Sequence, residues 1–315
     1  MNVLVTSISR KVPLLQAVRR AINKTGLPMK LIGADMNPNC IGRYFVDEFW
    51  QLPSFDQLHI ESFIKACQQQ RIRSIIPTRD GELLYFASHR TMLEQNGLFV
   101  MVSHPQSVHV CIDKLLFYET LSQQQFPVIP TFLRAEDVPS DRYVVKERYG
   151  AGAKQIKVNV NKKEAIEHAK QLENPIFQPF VQGTEWSVDL YVECSGKVKG
   201  TVARTRDYVV AGESHITTTI KNERLEQMCR NAAERLQLYG HVVMQVIVDE
   251  SGHFHFVECN SRFGGASTLS IEVGLDSFYW FLLESIGENI NDYPFVRSEN
   301  EKRQIRYSTD FIVDM

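Results

Sequence analysis

The 315-residue chain has no C-x-x-C pair; its six cysteines, at 40, 67, 111, 194, 229 and 259, are scattered. That argues against a zinc site and a disulfide framework, and fits a reducing cytoplasm. No apolar run reaches the ~18 residues that a membrane span needs. From the start, "MNVLVTSISRK", with only a short apolar stretch before its first polar pair, no signal peptide is expected. Charge of one sign is also missing: the formal net charge is −2, with 23% charged and 43% hydrophobic residues. No nucleic acid or membrane partner is therefore expected. The turn after the first strand, "TSISRK", lacks the G-x-G-x-x-G fingerprint. This disfavours a dinucleotide oxidoreductase with Asp35 on a ribose.

What is present is an alternation. Strand patterns at 3–6, in "LPMKLIGADM", "FVDEFWQLP", "IRSIIPT" and "LFVMVS" alternate with helical patterns, one carrying Leu14, Leu15, Val18 and Ile22, others at 57–70 and 82–95. Alternating strands and helices imply a parallel α/β domain, placed at 1–103. The pattern then changes. Asp113 caps a helix running to about Gln124, and "RYVVKERYGAGAKQIKVNV" reads as two strands joined by a glycine-containing loop. Asn161 and Glu164 form a capping box, and "PIFQPFVQG" leads out of a small α+β unit at 104–180. The remainder, 181–315, holds antiparallel strands at "EWSVDLYV" and "KVKGTVARTRDYVV", an amphipathic helix at 223–238, and a hairpin of "HVVMQVIV" with "HFHFVECN". The final stretch "RSENEKRQ" reads as solvated.

The stretch "FHFVECNSRFGGAS" starts as a core strand and then alternates Glu258, Asn260 and Arg262 before Gly264-Gly265. Alternate strand residues share one face, roughly 6–7 Å apart. Unpaired polar groups on a buried face are costly. A four-residue hairpin loop, 249–252, sets Val248 opposite His253 and Gln245 opposite Phe256, which puts Gln245 on the face of Glu258 and Asn260. An odd loop would break that parity. Three oxygen-bearing side chains suit Mg²⁺, which leaves its other positions to water and nucleotide phosphates. Arg262 can neutralise a phosphate oxygen. For E-x-N alone a solvated sheet face is the better explanation; Gln245, Arg262 and the Gly-Gly together favour a metal–phosphate site.

Other segments are weaker when taken singly. Lys146 in "VVKERYGAGAK" precedes Gly150 and Gly152, but a lone G-x-G is usually a turn. Lys114 begins a helix, where its charge gains nothing from the dipole, and a surface lysine is the simpler reading. In "FQPFVQGTEWSVDL", Gln178 and the backbone near Phe180 can meet an adenine edge, and Glu185 can accept ribose hydroxyls. His215 reads as a surface-loop histidine, and Arg206 and Glu213 as weak candidates for a substrate pocket.

The order of these residues is the specific signal: Lys114, Lys146 with glycines, Gln178 to Glu185, Gln245, then "ECNSR". It resembles the ATP-grasp superfamily, most closely the single ATP-grasp unit of carbamoyl-phosphate synthase large subunits, over nearly the whole chain. The resemblance implies an N-terminal Rossmann-like α/β domain followed by a two-subdomain ATP-grasp fold. It also implies roles. Lys114 and Lys146 would contact ATP phosphates, Gln178 and Phe180 the adenine, and Glu185 the ribose. Gln245 and Glu258 would hold one Mg²⁺, and Glu258 and Asn260 a second, with Mn²⁺ as a substitute. Arg262 and Arg204 would stabilise the transferred phosphoryl group. The sequence departs from the family at Ala153, Gln155 and Gln178.

The function so implied is an ADP-forming ligase: a small-molecule carboxylate becomes an acyl phosphate and an amine or other nucleophile captures it. A homodimer is compatible with this. Carbamoyl-phosphate synthesis itself is disfavoured, because the large synthase has two such units. The alternative is a nucleotide-binding regulatory protein without turnover, which would not need both metal positions.

Overall fold

The computed structural model describes residues 1–150 and 155–313. The N-terminal strands are β1 (Asn2–Thr6), β2 (Leu31–Asp35), β3 (Glu48–Gln51), β4 (Ile72–Ile76) and β5 (Phe99–Val100). They form a parallel sheet in the order β3-β2-β1-β4-β5. Their apolar runs suit strands covered on both faces. The covering helices are α1 (Val12–Thr25), α2 (Ile60–Gln69), α3 (Asp80–Ser88) and α4 (Arg90–Gln95). The helix expected at 82–95 is therefore two helices, which meet at His89. The third strand is shorter than "FVDEFWQLP", because Ile41–Phe45 winds into a 3₁₀ turn. Strand order reverses between β1 and β4, so the loops after them flank the crevice at the sheet's switch point.

Helices α5 (Pro105–Ile112) and α6 (Lys114–Gln123) follow. Asp113 caps α6 as expected, its Oδ1 accepting from the N–H groups of Leu115 (3.0 Å) and Leu116 (3.1 Å). Strands β6 (Tyr143–Glu147), β7 (Lys157–Val160) and β8 (Pro175–Pro179) make a small antiparallel sheet backed by α7 (Lys162–Ala169). The capping box of α7 is present, with Glu164 N–H to Asn161 Oδ1 at 3.0 Å and Asn161 N–H to Glu164 Oε2 at 2.9 Å. This sheet has its own core of Val138, Tyr143, Val145, Ala165 and Phe177. By contrast, Val110 of α5 and Phe117 and Leu121 of α6 pack with Val188, Leu190 and Met244 of the large sheet.

That large sheet has the order β13-β12-β9-β10-β11-β14. Its strands are β9 (Gly183–Val192), β10 (Val198–Val210), β11 (Glu213–Ile220), β12 (Gly240–Asp249), β13 (Phe254–Asn260) and β14 (Arg303–Ile305). Helix α8 (Glu223–Arg235) buries Leu225, Cys229, Ala232 and Ala233 against it. After α9 (Thr268–Glu272), the apolar helix α10 (Ser277–Ile286) packs beside α1, so Phe278 and Phe281 share one core with Val5, Leu15 and Val18. His215 lies in β11, not on a surface loop. The β-branched run "HITTTI" pairs with β10 on one side and β14 on the other.

The hairpin register also differs from expectation. Val248 pairs with Phe254, so the loop is odd, 249–253. Asp249 makes the difference. Its Oδ1 accepts from the N–H groups of Ser251 and His253, both at 2.9 Å, and draws His253 into the turn. The lost parity is restored by a bulge at Val257, where Val246 pairs with Phe256 but Gln245 pairs with Glu258. Gln245 thus stands directly opposite Glu258.

Candidate active site

Pairing across the large sheet puts four strands' polar residues on one face. Glu258 and Asn260 come from β13, Gln245 from β12, Glu185 and Ser187 from β9, and Arg204 and Arg206 from β10. The small sheet overhangs this face with Lys146 and Gln178, enclosing a cleft of about 920 Å³. That lies near the upper end of roughly 300–1,000 Å³ for small-molecule sites. All predicted site residues except Gly152 line it; Gly152 and Ala153 lie outside the described residues.

At one end the lysines meet. Lys146 is buried and has no hydrogen-bond or ion-pair partner among the described residues. Burial lowers its pKa to about 8; Glu258 and Glu185 pull it up, and Lys114 pushes it down. Lys114 is also buried, and its Nζ donates to the Gly150 carbonyl at 2.8 Å. Gly150 has φ +112°, a conformation that side-chain-bearing residues rarely adopt. The fork of Arg148 holds the cap residue Asp113 at 2.7 and 2.6 Å, fixing the start of α6 to the end of β6 and so bringing the two lysines together.

The expected adenine hinge is partly committed to the protein. Gln178 is buried and its Nε2 donates to Thr131 Oγ1 at 2.8 Å. The Phe180 N–H donates to the Arg142 carbonyl at 2.9 Å. The next N–H, that of Val181, makes no backbone bond among the described residues. Val181 also lines the cleft.

On the floor, the Gln245 amide oxygen faces the carboxylates of Glu185 and Glu258 and its nitrogen faces Arg206; with the amide reversed, the nitrogen would donate to Glu185 Oε1 (3.0 Å) and Glu258 Oε1 (3.2 Å) and the oxygen would accept from Arg206 Nη1 (2.9 Å). The first orientation, oxygen towards Glu258, is the one that a cation there would require; the reversed amide satisfies the carboxylates without one. Asn260 Nδ2 lies 3.4 Å from Glu258 Oε1. Burial raises the pKa of Glu185; Arg206 lowers it, and Glu258 adds to the rise. Among the described residues no group of three or more His, Cys, Asp or Glu is placed to hold a metal unaided. The donor set of Gln245, Glu258 and Asn260 fits a hard cation that takes its remaining oxygens from phosphate and water. It does not fit a structural zinc site.

Both predicted arginines reach this wall, each already held by a carboxylate. Arg262 grips Asp80 at the start of α3 through Nε (2.7 Å) and Nη2 (2.5 Å), which joins the cleft to the N-terminal sheet. Arg204 is buried and its Nε donates to Asp189 Oδ2 at 2.7 Å. Arg206 and Glu213 line the cleft, whereas His215 is not among the described lining residues. Sequence reasoning missed Asp80, Ser187, Asp189 and Arg306. The alternation Glu185-Ser187-Asp189 was the available signal for two of them. Arg306 had none: β14 carries it to the cleft, where its Nη2 donates to the Gly265 carbonyl at 2.8 Å and its Nη1 pairs with Glu213.

Known proteins resemble both parts of the chain. Residues 154–310 match the family described as ATP-grasp in the biosynthetic pathway with Ter operon, and residues 3–101 match the PylC-like N-terminal domain. No curated protein matches the chain in sequence. Among solved structures, the biotin carboxylase domain of Hydrogenobacter thermophilus 2-oxoglutarate carboxylase, in complex with MgADP, ADP and bicarbonate, superposes with a TM-score of 0.78 at 16% identity. The match covers 96% of this chain and 73% of that one. N5-carboxyaminoimidazole synthetase from Staphylococcus aureus, complexed with ADP, gives 0.69 at 14% identity over 91% of this chain and 77% of that one. A biotin carboxylase–nucleotide complex from Campylobacter jejuni gives 0.71 at 15%, covering 91% and 71%. These likenesses bear out the fold expected from the residues and do not single out the carbamoyl-phosphate synthase unit. The chain belongs to the ATP-grasp superfamily and carries a PylC-like N-terminal domain.

Proposed function

We propose that the protein is an ATP-dependent, ADP-forming ligase that activates a small-molecule carboxylate for capture by an amine or similar nucleophile. The observation that carries this reading is the buried Lys146 ammonium facing the oxygen donors Gln245, Glu258 and Asn260 across one cleft. Among the described residues this cation has no partner, a buried charge left so is costly, and phosphate is a ligand that would relieve it. In this reading 1–103 is the N-terminal domain, 104–180 supplies the overhanging ATP-grasp subdomain, and 181–315 supplies the metal face.

Lys114, Lys146 and Gly150 bind the phosphates, Gln178 and the Phe180–Val181 backbone face the adenine, and Glu185 holds the ribose. Gln245, Glu258 and Asn260 would hold two Mg²⁺ ions, or Mn²⁺ in their place. When bound, the metal supplies charge neutralisation at the phosphate oxygens. Arg204 and Arg262 stabilise charge on the phosphoryl group in transit. The substrate carboxylate oxygen attacks the γ-phosphorus, and the bond to the β-phosphate oxygen breaks, releasing ADP. The nucleophile then attacks the acyl carbon, phosphate leaves, and the nucleophile's proton passes to solvent or to the departing phosphate. The site's contribution is positioning and electrostatics. No helix among the described residues is long and apolar enough to cross a membrane. The six cysteines are unpaired, which fits our proposal of a cytoplasmic enzyme acting alone or as a homodimer.

The test is a panel of carboxylic acids with Mg-ATP and hydroxylamine. The correct acid should give a hydroxamate together with ADP and phosphate. AMP and pyrophosphate would overturn the mechanism. Stabilisation by Mg-ATP with no turnover across a broad panel would favour the regulatory alternative.

A further inference from the structure

The β9 row ends in a buried charge that the ligase reading leaves without a task. Asp189 is fully buried on the cleft-side face, between Val243 of β12 and Val202 of β10. Four donors converge on it. Oδ2 accepts from Arg204 Nε at 2.7 Å and Ser270 Oγ at 2.6 Å; Oδ1 accepts from Ser267 Oγ and lies 3.3 Å from His241 Nε2. The donors come from β10, β12, α9 and the loop before α9. Burial pushes the carboxyl up, but Arg204 and the His241 hydrogen bond outweigh it and hold Asp189 well below the usual range. Burial lowers the pKa of His241, and the Asp189 carboxylate opposes that shift. The line Ser277–His241–Asp189 looks like a nucleophile's triad, but all three are sealed from solvent and none lines the described cleft.

Stability alone does not account for such a pair. Replacing a buried ion pair with well-packed apolar residues is often neutral or stabilising, and the flanking valines show that this layer accepts apolar packing. What the carboxylate does achieve is geometric. A guanidinium fixed at Nε has its plane set. Arg204 Nη1 reaches Thr217 Oγ1 only at 3.5 Å, and Nη2 has no acceptor among the described residues. Ser267, while donating to Asp189, accepts from the Gly264 N–H at 3.1 Å, so the loop after Arg262 is tied to the same carboxylate. A Cβ on Gly264 would stand 2.7 Å from Ser267 Oγ and 3.9 Å from Arg204 Nη2, which shows how closely loop and guanidinium approach.

We propose that Asp189 is a positioning residue: it aims Arg204, and through Ser267 the Phe263–Gly264 turn, at the terminal phosphate of the bound nucleotide. This rests on the nucleotide reading of the cleft. The test is calorimetric binding of Mg-ATP and Mg-ADP to the full chain. Wild type should prefer Mg-ATP. Asp189→Asn keeps the shape but turns a donor towards Arg204. It should lose about tenfold or more in Mg-ATP affinity, the scale of one charge-assisted hydrogen bond, and stay within about twofold for Mg-ADP. Asp189→Glu retains the charge, displaced by one methylene, and should fall between; it serves if Asp189→Asn does not fold. Arg204→Lys should show the same loss of preference. Equal loss for both nucleotides would mean a purely structural role and would overturn the proposal. So would an unchanged ATP-to-ADP ratio in the folded variants. If wild type binds both nucleotides without preference, this inference fails while the nucleotide site stands. If wild type binds neither, the proposed function itself fails.

Discussion

Two strands of one sheet carry the same alternation of polar residues and use it differently. On β13 and just past its end the row is Glu258, Asn260, Arg262; on β9 it is Glu185, Ser187, Asp189. β13 is an edge strand, whereas β9 lies between β12 and β10. The edge row stays half-buried and open to the cleft. The central row runs from half-buried Glu185 to Ser187 and Asp189, both at 0% exposure. The same periodicity therefore leaves a row open to the cleft on a strand whose outer side is paired only around Phe256, and an internal support on a strand paired on both sides. The central position makes an unmatched charge expensive, and Asp189 accordingly has a full set of donors.

The largest expected effect tests that division. Asp189→Ala leaves Arg204 as a buried charge without its partner, and should cost about 3–5 kcal/mol of unfolding free energy. Glu258→Ala should cost far less, because it removes a half-buried carboxylate that faces Glu185. Urea denaturation of both variants measures the difference. If the two lose equal stability, the distinction between support and surface is wrong.

Activity should reverse the order. Glu258→Gln keeps the shape and removes the charge from the metal row. Turnover should fall by about 10²–10³, as for loss of one preorganised electrostatic contact, with the melting temperature nearly unchanged. Cys259→Ala, on the opposite face among Val110, Met244 and Phe256, should trim stability modestly and leave turnover far less affected. A Glu258→Gln enzyme of normal rate would remove the metal assignment.

How much of this was legible follows the same division. The alternating pattern of the first hundred residues, the cap at Asp113 and the box at Asn161–Glu164 are local features, and local chemistry determined them. The β13 row stood out because glutamate, asparagine and arginine run into two glycines. The β9 row was noticed only at Glu185, since serine and aspartate alternating with Trp186 and Val188 also describe a solvated strand face. Only the pairing of β9 on both sides decides otherwise. The register of the β12–β13 hairpin was misjudged, although its outcome was not. Asp249 lengthens the loop by one residue and the bulge at Val257 compensates, and neither leaves a periodic signal. Asp80 and Arg306 were invisible because each reaches the cleft through a distant segment.

A smaller effect sharpens the comparison at the overhanging strand. Burial lowers the Lys146 pKa to about 8 from 10.5. Between those values the unfolded chain holds a proton that the folded chain has released, so stability should rise with pH across that window. Bound phosphate favours the ammonium, so Mg-ATP binding near pH 8.5 should take up part of a proton. Calorimetry in buffers of different ionisation enthalpy measures it. Lys11 is lowered to about 8 as well, but its Nζ is held by Thr78 outside the cleft. Lys146→Met should abolish the uptake and Lys11→Met should not.

The smallest effect concerns Ser187, and its sign is what matters. Its hydroxyl is buried without a hydrogen-bond partner among the described residues, directly opposite Gln245 on one side and Arg204 on the other. An unsatisfied buried hydroxyl costs free energy, whereas an alanine there has nothing to satisfy. Ser187→Ala should therefore leave the nucleotide-free protein unchanged or more stable by up to about 1 kcal/mol. Serine would be retained for the loaded state: with the Gln245 oxygen held on a cation, its amide nitrogen faces the Arg206 donor and needs an acceptor, and Ser187 is its cross-strand neighbour. The stabilisation by Mg-ATP should then shrink in the variant, while that by ATP without a divalent cation should not. Thermal melts of wild type and Ser187→Ala under those three conditions decide it. A variant that melts lower when free would place Ser187 with Asp189 as internal support, and the row would have no residue in common between its two uses beyond Glu185.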